Sequence, residues 1–314
     1  MSSFKKILAT AAVSALVLTG TAGCNREATD AGGSSDKPKV MLALSTQTNP
    51  FFVQLRDGAQ KKAEELGVEL QVQDASDDPA TQTNQLNNAA TGDFDAVIVN
   101  PTDSDAVTPA VKALNTAKIP VVAVDRGVNN AEVASFVSSD NVAGGAQAAQ
   151  ELAKVLGDKG EVIVLQGTAG TSASRDRGKG FTEEIAKHTN IKVVAKQTAG
   201  FDRAKALDVT TNLLQAHPNA VGVFAENDEM ALGASEAVGG KAGSAIKIVG
   251  FDGTADGIKA IESGKLNGTI AQQPDKLGAS AVEQAAVIAK GEAAEKSVPI
   301  DVVTVTKQNV AEYK

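Results

Sequence analysis

The 314-residue chain has no tryptophan, one tyrosine, one cysteine and two histidines, and aromatic residues make up 3% of it. A single cysteine excludes a disulfide framework and a thiolate metal site. His188, before TNIK, and His217, in AHPN, each stand at an expected helix end, so neither a histidine-rich metal site nor a Ser-His-Asp or Cys-His set can be assembled. No P-loop sequence occurs, and the G-x-G at Gly178 to Gly180 does not follow a strand, so the nucleotide motifs fail. The ENDEM stretch offers no carboxylate dyad, since Asn227 puts an amide beside Asp228, which is itself read as a helix N-cap. Excess positive charge is absent as well: the formal net charge is −8. Removal of a leader carrying Lys5 and Lys6, with no Asp or Glu before Cys24, would make the remainder more acidic still. These absences lead us to expect no catalysis, no metal, no cofactor and no nucleic-acid partner.

The amino terminus is the one place with a long apolar run. Lys5 and Lys6 precede Ile7 to Leu18, a core too short to span a bilayer stably, and small residues come next as TGTAGC. This is a secretion signal over residues 1–23. Cys24 comes after Ala22 and Gly23 in a pattern resembling the bacterial lipoprotein lipobox, although Thr21 stands where that pattern has Leu. An ordinary signal peptide with a free thiol nearby is the alternative. The polar, Gly- and Ser-containing residues 24–37 carry no periodicity and read as a flexible tether between membrane and domain.

Beyond the tether, apolar strand-like runs alternate with amphipathic stretches. VMLALS, VELQV, AVIVN, VVAVD and a short ASFVS from Ala134 precede a second series, VIVLQ, IKVVAK, AVGVFA and IKIVGF. Runs without polar alternation are strands buried on both faces of a parallel sheet. Between them come helical patterns such as the stretch from Val53, with Leu55, Ala59 and Ala63 on one face and Gly67 as the stop. Thr102 to Ser104, Asp140 with Asn141, and Pro274 with Asp275 mark helix starts, and Phe181 and Phe224 are assigned to the core. Two consecutive βα series imply an α/β protein of two similar doubly wound lobes.

The residues just past each run point to function, because ligands in open α/β sheets bind at the strands' carboxyl ends. Here those ends read STQTNPFF from Ser45, NPTDSDA from Asn100, then Asp125 with Arg126; in the second series QGTAGTSASRDRGKGF, AGFDR, ENDEM, GFDGT and AQQPD. Amides, carboxylates and arginines beside phenylalanines suit a polyhydroxylated ring, whose hydroxyls donate and accept and whose C–H faces prefer flat apolar surfaces. Asp125 and Arg126 alone could equally be an ion pair closing a strand, and Phe51 and Phe52 could be core residues where strand meets helix.

Taken together, these stretches, with IPVVAVDR, SSDNVAGG and FAENDEMALGA, resemble the ribose-binding members of the type I periplasmic binding proteins of ABC importers, from Lys39 to about Val310. The resemblance implies a clamshell joined by a three-segment hinge, with one lobe over residues 38–139 and 273–301 and the other over 140–272 and 302–314. It implies D-ribose trapped in pyranose form as the lobes close. Asn49, Arg126, Arg177, Asn227, Asp252 and Gln272 would bond its hydroxyls or ring oxygen, Asp125 would accept from adjacent hydroxyls, and Phe51, Phe52 and Phe201 would sandwich the ring. Asn100, Ser139 and Asp140 would support the cleft edge and hinge. The partners it implies are permease subunits and, through Cys24, a membrane, with the protein a monomer facing the periplasm or held on the outer face of the cytoplasmic membrane.

Three alternatives stay open at this point. The ligand could be another pentose, a hexose or a furanose-like autoinducer. The absence of a calcium loop and of tryptophan weighs against the glucose/galactose type. The closed form could also serve a chemoreceptor. A sugar-responsive repressor would need a basic headpiece where the leader and tether stand.

Overall fold

The computed structural model describes residues 37–313; the leader, Cys24 and the tether up to residue 36 lie outside them. The first half runs β1 (Lys39–Leu44), α1 (Pro50–Leu66), β2 (Glu69–Asp74), α2 (Pro79–Ala89), β3 (Ala96–Val99), α3 (Thr108–Thr116), β4 (Val121–Val124) and β5 (Ser135–Ser139). The second half repeats the order with α4 (Asn141–Leu156), β6 (Gly160–Gln166), α5 (Ser172–Ile185), β7 (Ile191–Thr198), α6 (Arg203–Ala216), β8 (Ala220–Ala225), α7 (Asp228–Val238), β9 (Lys247–Asp252), α8 (Ala255–Glu262) and β10 (Gly268–Ala271). The chain ends with α9 (Pro274–Ala289), β11 (Ser297–Ile300) and β12 (Val303–Thr306).

Two separate six-stranded sheets result, ordered β11-β5-β4-β3-β1-β2 and β12-β10-β9-β8-β6-β7. Reading β6 for β1, β7 for β2 and so on, the second order repeats the first, so the expected pair of similar α/β lobes is present. Every pairing is parallel except β10 with β12. The chain passes between the sheets after β5, after β10 and between β11 and β12.

Each sheet is covered on both faces, which is why β3 and β4 are buried at every position. Alternate residues of β1, β3 and β4 face α1 and α9, where Leu55, Ala59, Leu277 and Ala281 complete one layer. The intervening residues, Met41, Val97, Val99 and Val121, face Leu86 of α2 and Val111 and Leu114 of α3. In the second sheet Phe181 and Phe224 stack at 4.3 Å between centroids, inside the layer formed with α4.

Helix starts obey local chemistry. The Asn49 side chain accepts from the Phe51 N–H, Pro50 occupies the first turn, and Gly67 at φ 69° ends α1. That start is three residues earlier than the apolar period from Val53 suggests, and it carries Phe51 and Phe52 into the helix. The expected opening of α3 at Thr102–Ser104 does not hold. Asp103 Oδ1 instead accepts from the Asp105 and Ala106 N–H groups at 2.8 Å each, closing a separate turn. The helix itself begins at Thr108, where Pro109 can stand in a first turn that needs no N–H. The last two strands have no apolar run to announce them: β11 contains Pro299 and lies at a sheet edge, where a missing donor is tolerated.

Helices α4 and α5 cross with backbones in near contact. A Cβ on Gly145 would lie 2.1 Å from the Arg177 carbonyl oxygen, and one on Gly180 would lie 1.9 Å from that of Val142. Only glycine permits this approach, and it fixes the height at which α5 presents Arg177.

Candidate functional site

The carboxyl ends of the two sheets face each other across a small cavity. Asn49, Phe51, Phe52, Asp125 and Arg126 line it from the first sheet's side. Arg177, Phe201, Asn227, Asp252 and Gln272 line it from the other, together with Ala173, which the sequence did not single out. All ten expected residues are thus brought to one place.

Asp125 and Asp252 occupy equivalent positions at the ends of β4 and β9, and both have positive φ, 61° and 117°. At Asp125 the chain makes a tight turn in which the Arg126 N–H donates to the Val124 carbonyl at 2.6 Å. Phe201, also lining the cavity, has φ 62°. Left-handed backbone at non-glycine residues costs energy that the surrounding fold must hold in place, and it concentrates where side chains are aimed at a ligand.

Polar groups in the wall are paired to one another, but incompletely. Asp125, 2% exposed, accepts from Asn100 Nδ2 at 3.1 Å through Oδ2, which lies 3.7 Å from Arg126 Nε. Arg126 donates from Nη1 to the Pro101 carbonyl at 3.0 Å and lies 5.1 Å from the Phe52 ring and 5.6 Å from that of Phe201. Arg177 donates from Nε to Asn141 Oδ1 at 2.8 Å and from Nη1 to the Glu226 carbonyl at 2.7 Å, with Asp252 Oδ1 at 3.5 Å. Its guanidinium lies 3.9 Å from the Phe251 ring centroid. Gln272 donates to Asp252 Oδ1 at 2.7 Å. Asp125 Oδ1, Arg126 Nε and Gln272 Oε1 are buried without a protein partner.

Two guanidiniums face two carboxyl groups in the wall. Burial pushes the Asp125 carboxyl above its ordinary range, against the fields of Arg126 and Arg177 and the Asn100 hydrogen bond. Burial raises Asp252 to about 8, opposed by Arg177 and by the Gln272 donor. The same burial lowers the Arg126 guanidinium. A wall with unused donors and acceptors suits a ligand rich in hydroxyls.

The phenylalanines serve two purposes. Phe51 and Phe52 meet edge to face at 5.1 Å and belong to the first sheet's core while also lining the cavity. The core reading and the ligand-facing reading are therefore compatible. Asn227, not Asp228, is the N-cap of α7, accepting from the Met230 N–H at 2.9 Å. Asp228 is fully buried and accepts from the Thr254 N–H, the Thr254 hydroxyl and the Thr269 hydroxyl, so it ties α7 to the ends of β9 and β10. Burial lifts its carboxyl to about 6.

Behind the wall stand groups that sequence reasoning placed loosely or passed over. Asn100 does not line the cavity; it receives the Ser45 N–H and hydroxyl on Oδ1 and donates to Asp125. Gln82 of α2 is fully buried, donates to the Asn100 carbonyl at 2.8 Å and accepts from the Thr102 N–H. A glutamine in register with buried Leu86 and Ala89 was the available signal. Glu226, also fully buried, accepts from the Gly167 N–H and the Ser174 hydroxyl, and burial raises it to about 7. Ser139 and Asp140 lie at the first crossing; Asp140 caps α4 through Ala143, and neither lines the cavity. His188 pairs with Asp158 at the surface and His217 ends α6. Among the described residues no cluster of potential metal ligands occurs.

Residues 40–293 match the family described as a periplasmic binding protein domain. The ribose import binding protein RbsB of Escherichia coli is 47% identical over 296 residues, covering 94% of this chain and 97% of that protein. A xylitol-binding protein of Mycolicibacterium smegmatis is 34% identical, covering 99% and 88%. Among solved structures, an ABC transporter periplasmic solute binding protein from Actinobacillus succinogenes with bound D-allose superposes with a TM-score of 0.83 at 34% identity, covering 88% of this chain and all of that one.

Proposed function

Because the chain belongs to the periplasmic binding protein domain family, we propose that it is the extracytoplasmic sugar-binding component of an ABC importer, holding D-ribose in pyranose form between its lobes for delivery to a permease. The observation that carries this reading is the set of three buried, unpartnered polar atoms in the cavity wall: an acceptor at Asp125, a donor at Arg126 and an acceptor at Gln272. Ring hydroxyls supply the missing partners, each bond to a charged group contributing roughly 1.5 to 3 kcal/mol. Phe51, Phe52 and Phe201 cover the faces of the ring. The identity to RbsB favours ribose among neutral polyols of this size.

Lobes spanning residues 38–139 with 273–301 and 140–272 with 302–314 would close around the sugar, since the sheets change over at those points. Export under the leader, anchoring through lipidated Cys24 and a monomeric state belong to the same proposal. Melting the mature chain with a panel of pentoses, hexoses and pentitols tests the ligand. D-ribose should raise the midpoint most, because a ligand that binds only the folded state adds stability with concentration. A larger rise with xylitol or allose would reassign the ligand. Growth on ribose against taxis toward ribose, after deletion of the gene, separates importer from chemoreceptor partner.

A further inference from the structure

Away from the three crossings, the loops of one sheet are hydrogen-bonded to those of the other by groups outside the cavity wall. The Ser104 N–H donates to the Gly170 carbonyl at 3.1 Å. The Ser172 N–H donates to Ser104 Oγ at 3.2 Å, and the Gly127 N–H donates to Ser172 Oγ at 2.8 Å. Ser104 is fully buried and Ser172 nearly so. The Ser104 carbonyl also accepts from the Asn129 N–H at 2.9 Å, so the loop after Arg126 is gathered into the same cluster. Gly170 has φ 88°, and a Cβ there would lie 2.0 Å from Asp103 Oδ2, in a carboxylate held by the turn it closes. The two loops therefore meet through both backbone and side-chain groups, with no room for a side chain at Gly170.

We propose that Ser104 and Ser172 form a latch that sets sugar affinity by holding the lobes together, without touching the sugar. This rests on the sugar-binding reading above. Apparent affinity falls in proportion to the fraction of molecules in the binding-competent form, whatever the ligand. A bond made only between closed lobes raises that fraction, and breaking it weakens every ligand by the same factor. One neutral hydrogen bond corresponds to about fivefold in an equilibrium constant.

The latch differs in one respect from a wall residue such as Asn227 or Gln272, which bears on particular hydroxyls: its loss leaves the ratio between ligands unchanged. Calorimetric titration of the mature chain and of Ser104→Ala, Ser172→Ala and the double variant, with D-ribose and one weaker-binding sugar, reads that ratio. The expected result is a dissociation constant raised about fivefold by each change and further by both, equally for the two sugars, with sugar-free melting unchanged. A double variant within twofold of the parent overturns the latch, as does a severalfold change in the ratio, which would mean contact with the ligand. If the double variant fails to fold, Ser172→Ala, which removes only the bond from Gly127, is judged by the same two criteria. If the parent binds no sugar at all, the functional reading has failed, and the latch, whose effect is on sugar affinity, is overturned with it.

Discussion

Replacing Asp125 by alanine should abolish measurable ribose binding at micromolar protein while leaving a cooperative fold. The carboxylate is 2% exposed, its Oδ1 has no protein partner, and Oδ2 is held by Asn100 at 3.1 Å. Truncation loses the hydroxyl bonds to both oxygens and leaves the Arg126 guanidinium, equally buried, without its counter-charge. Removing one partner of such a contact costs about 2 to 5 kcal/mol, roughly thirty-fold to several-thousand-fold in dissociation constant. The sugar-free protein loses less, because burial already works against the charge and the side chain supports little packing. Alanine tolerates φ 61° less well than aspartate, so Asp125→Asn provides the companion that keeps shape and turn. Asp78→Ala is the control. It removes the cap that accepts from the Thr81 N–H at the start of α2, lowers stability by about 1 kcal/mol and leaves affinity nearly intact. Titration and melting of the three side by side separate ligand site from structural ion pair. Asp125→Ala binding ribose within a few-fold of the parent would refute the reasoning.

Glu226 makes stability depend on pH. Its carboxyl is raised from 4.5 to about 7, so its contribution is full below about 4.5 and lost as pH rises through 7. Glu226→Gln cannot ionise and should gain about 1 to 3 kcal/mol on the parent between pH 5 and pH 8 in denaturant melts; parallel pH curves would count against it. Gly180→Ala should destabilise by about 1 to 3 kcal/mol and also weaken ribose binding, since its Cβ would push α5 and Arg177 away from Val142; stability lost with affinity intact would mean that Arg177 does not depend on this crossing. Cys24→Ser should release the exported chain from membranes, and unchanged partitioning would contradict a lipid anchor.

Much of this was legible in residue order because the relevant physics is local. Strands buried on both faces read as unbroken apolar runs, and the residues just past them are brought to the cavity; Asp125 with Arg126 and Asp252 after IVGF line it. What residue order hides is tertiary. Whether Asp228 or Asn227 caps α7 depends on Thr254 and Thr269 arriving from elsewhere to claim the Asp228 oxygens. The burial of Gln82 and Glu226 depends on which loop carbonyl or N–H lies behind the wall. β11 and β12 owe their existence to the strands they border, not to their own patterns.

The central claim is that one neutral sugar is held in the cavity between the two sheets. Calorimetric titration of the mature chain with D-ribose tests it most directly. The expected result is a single saturable site of one sugar per chain, with hexoses binding more weakly. Absence of heat with ribose at every concentration up to millimolar, or a stoichiometry other than one, would contradict it.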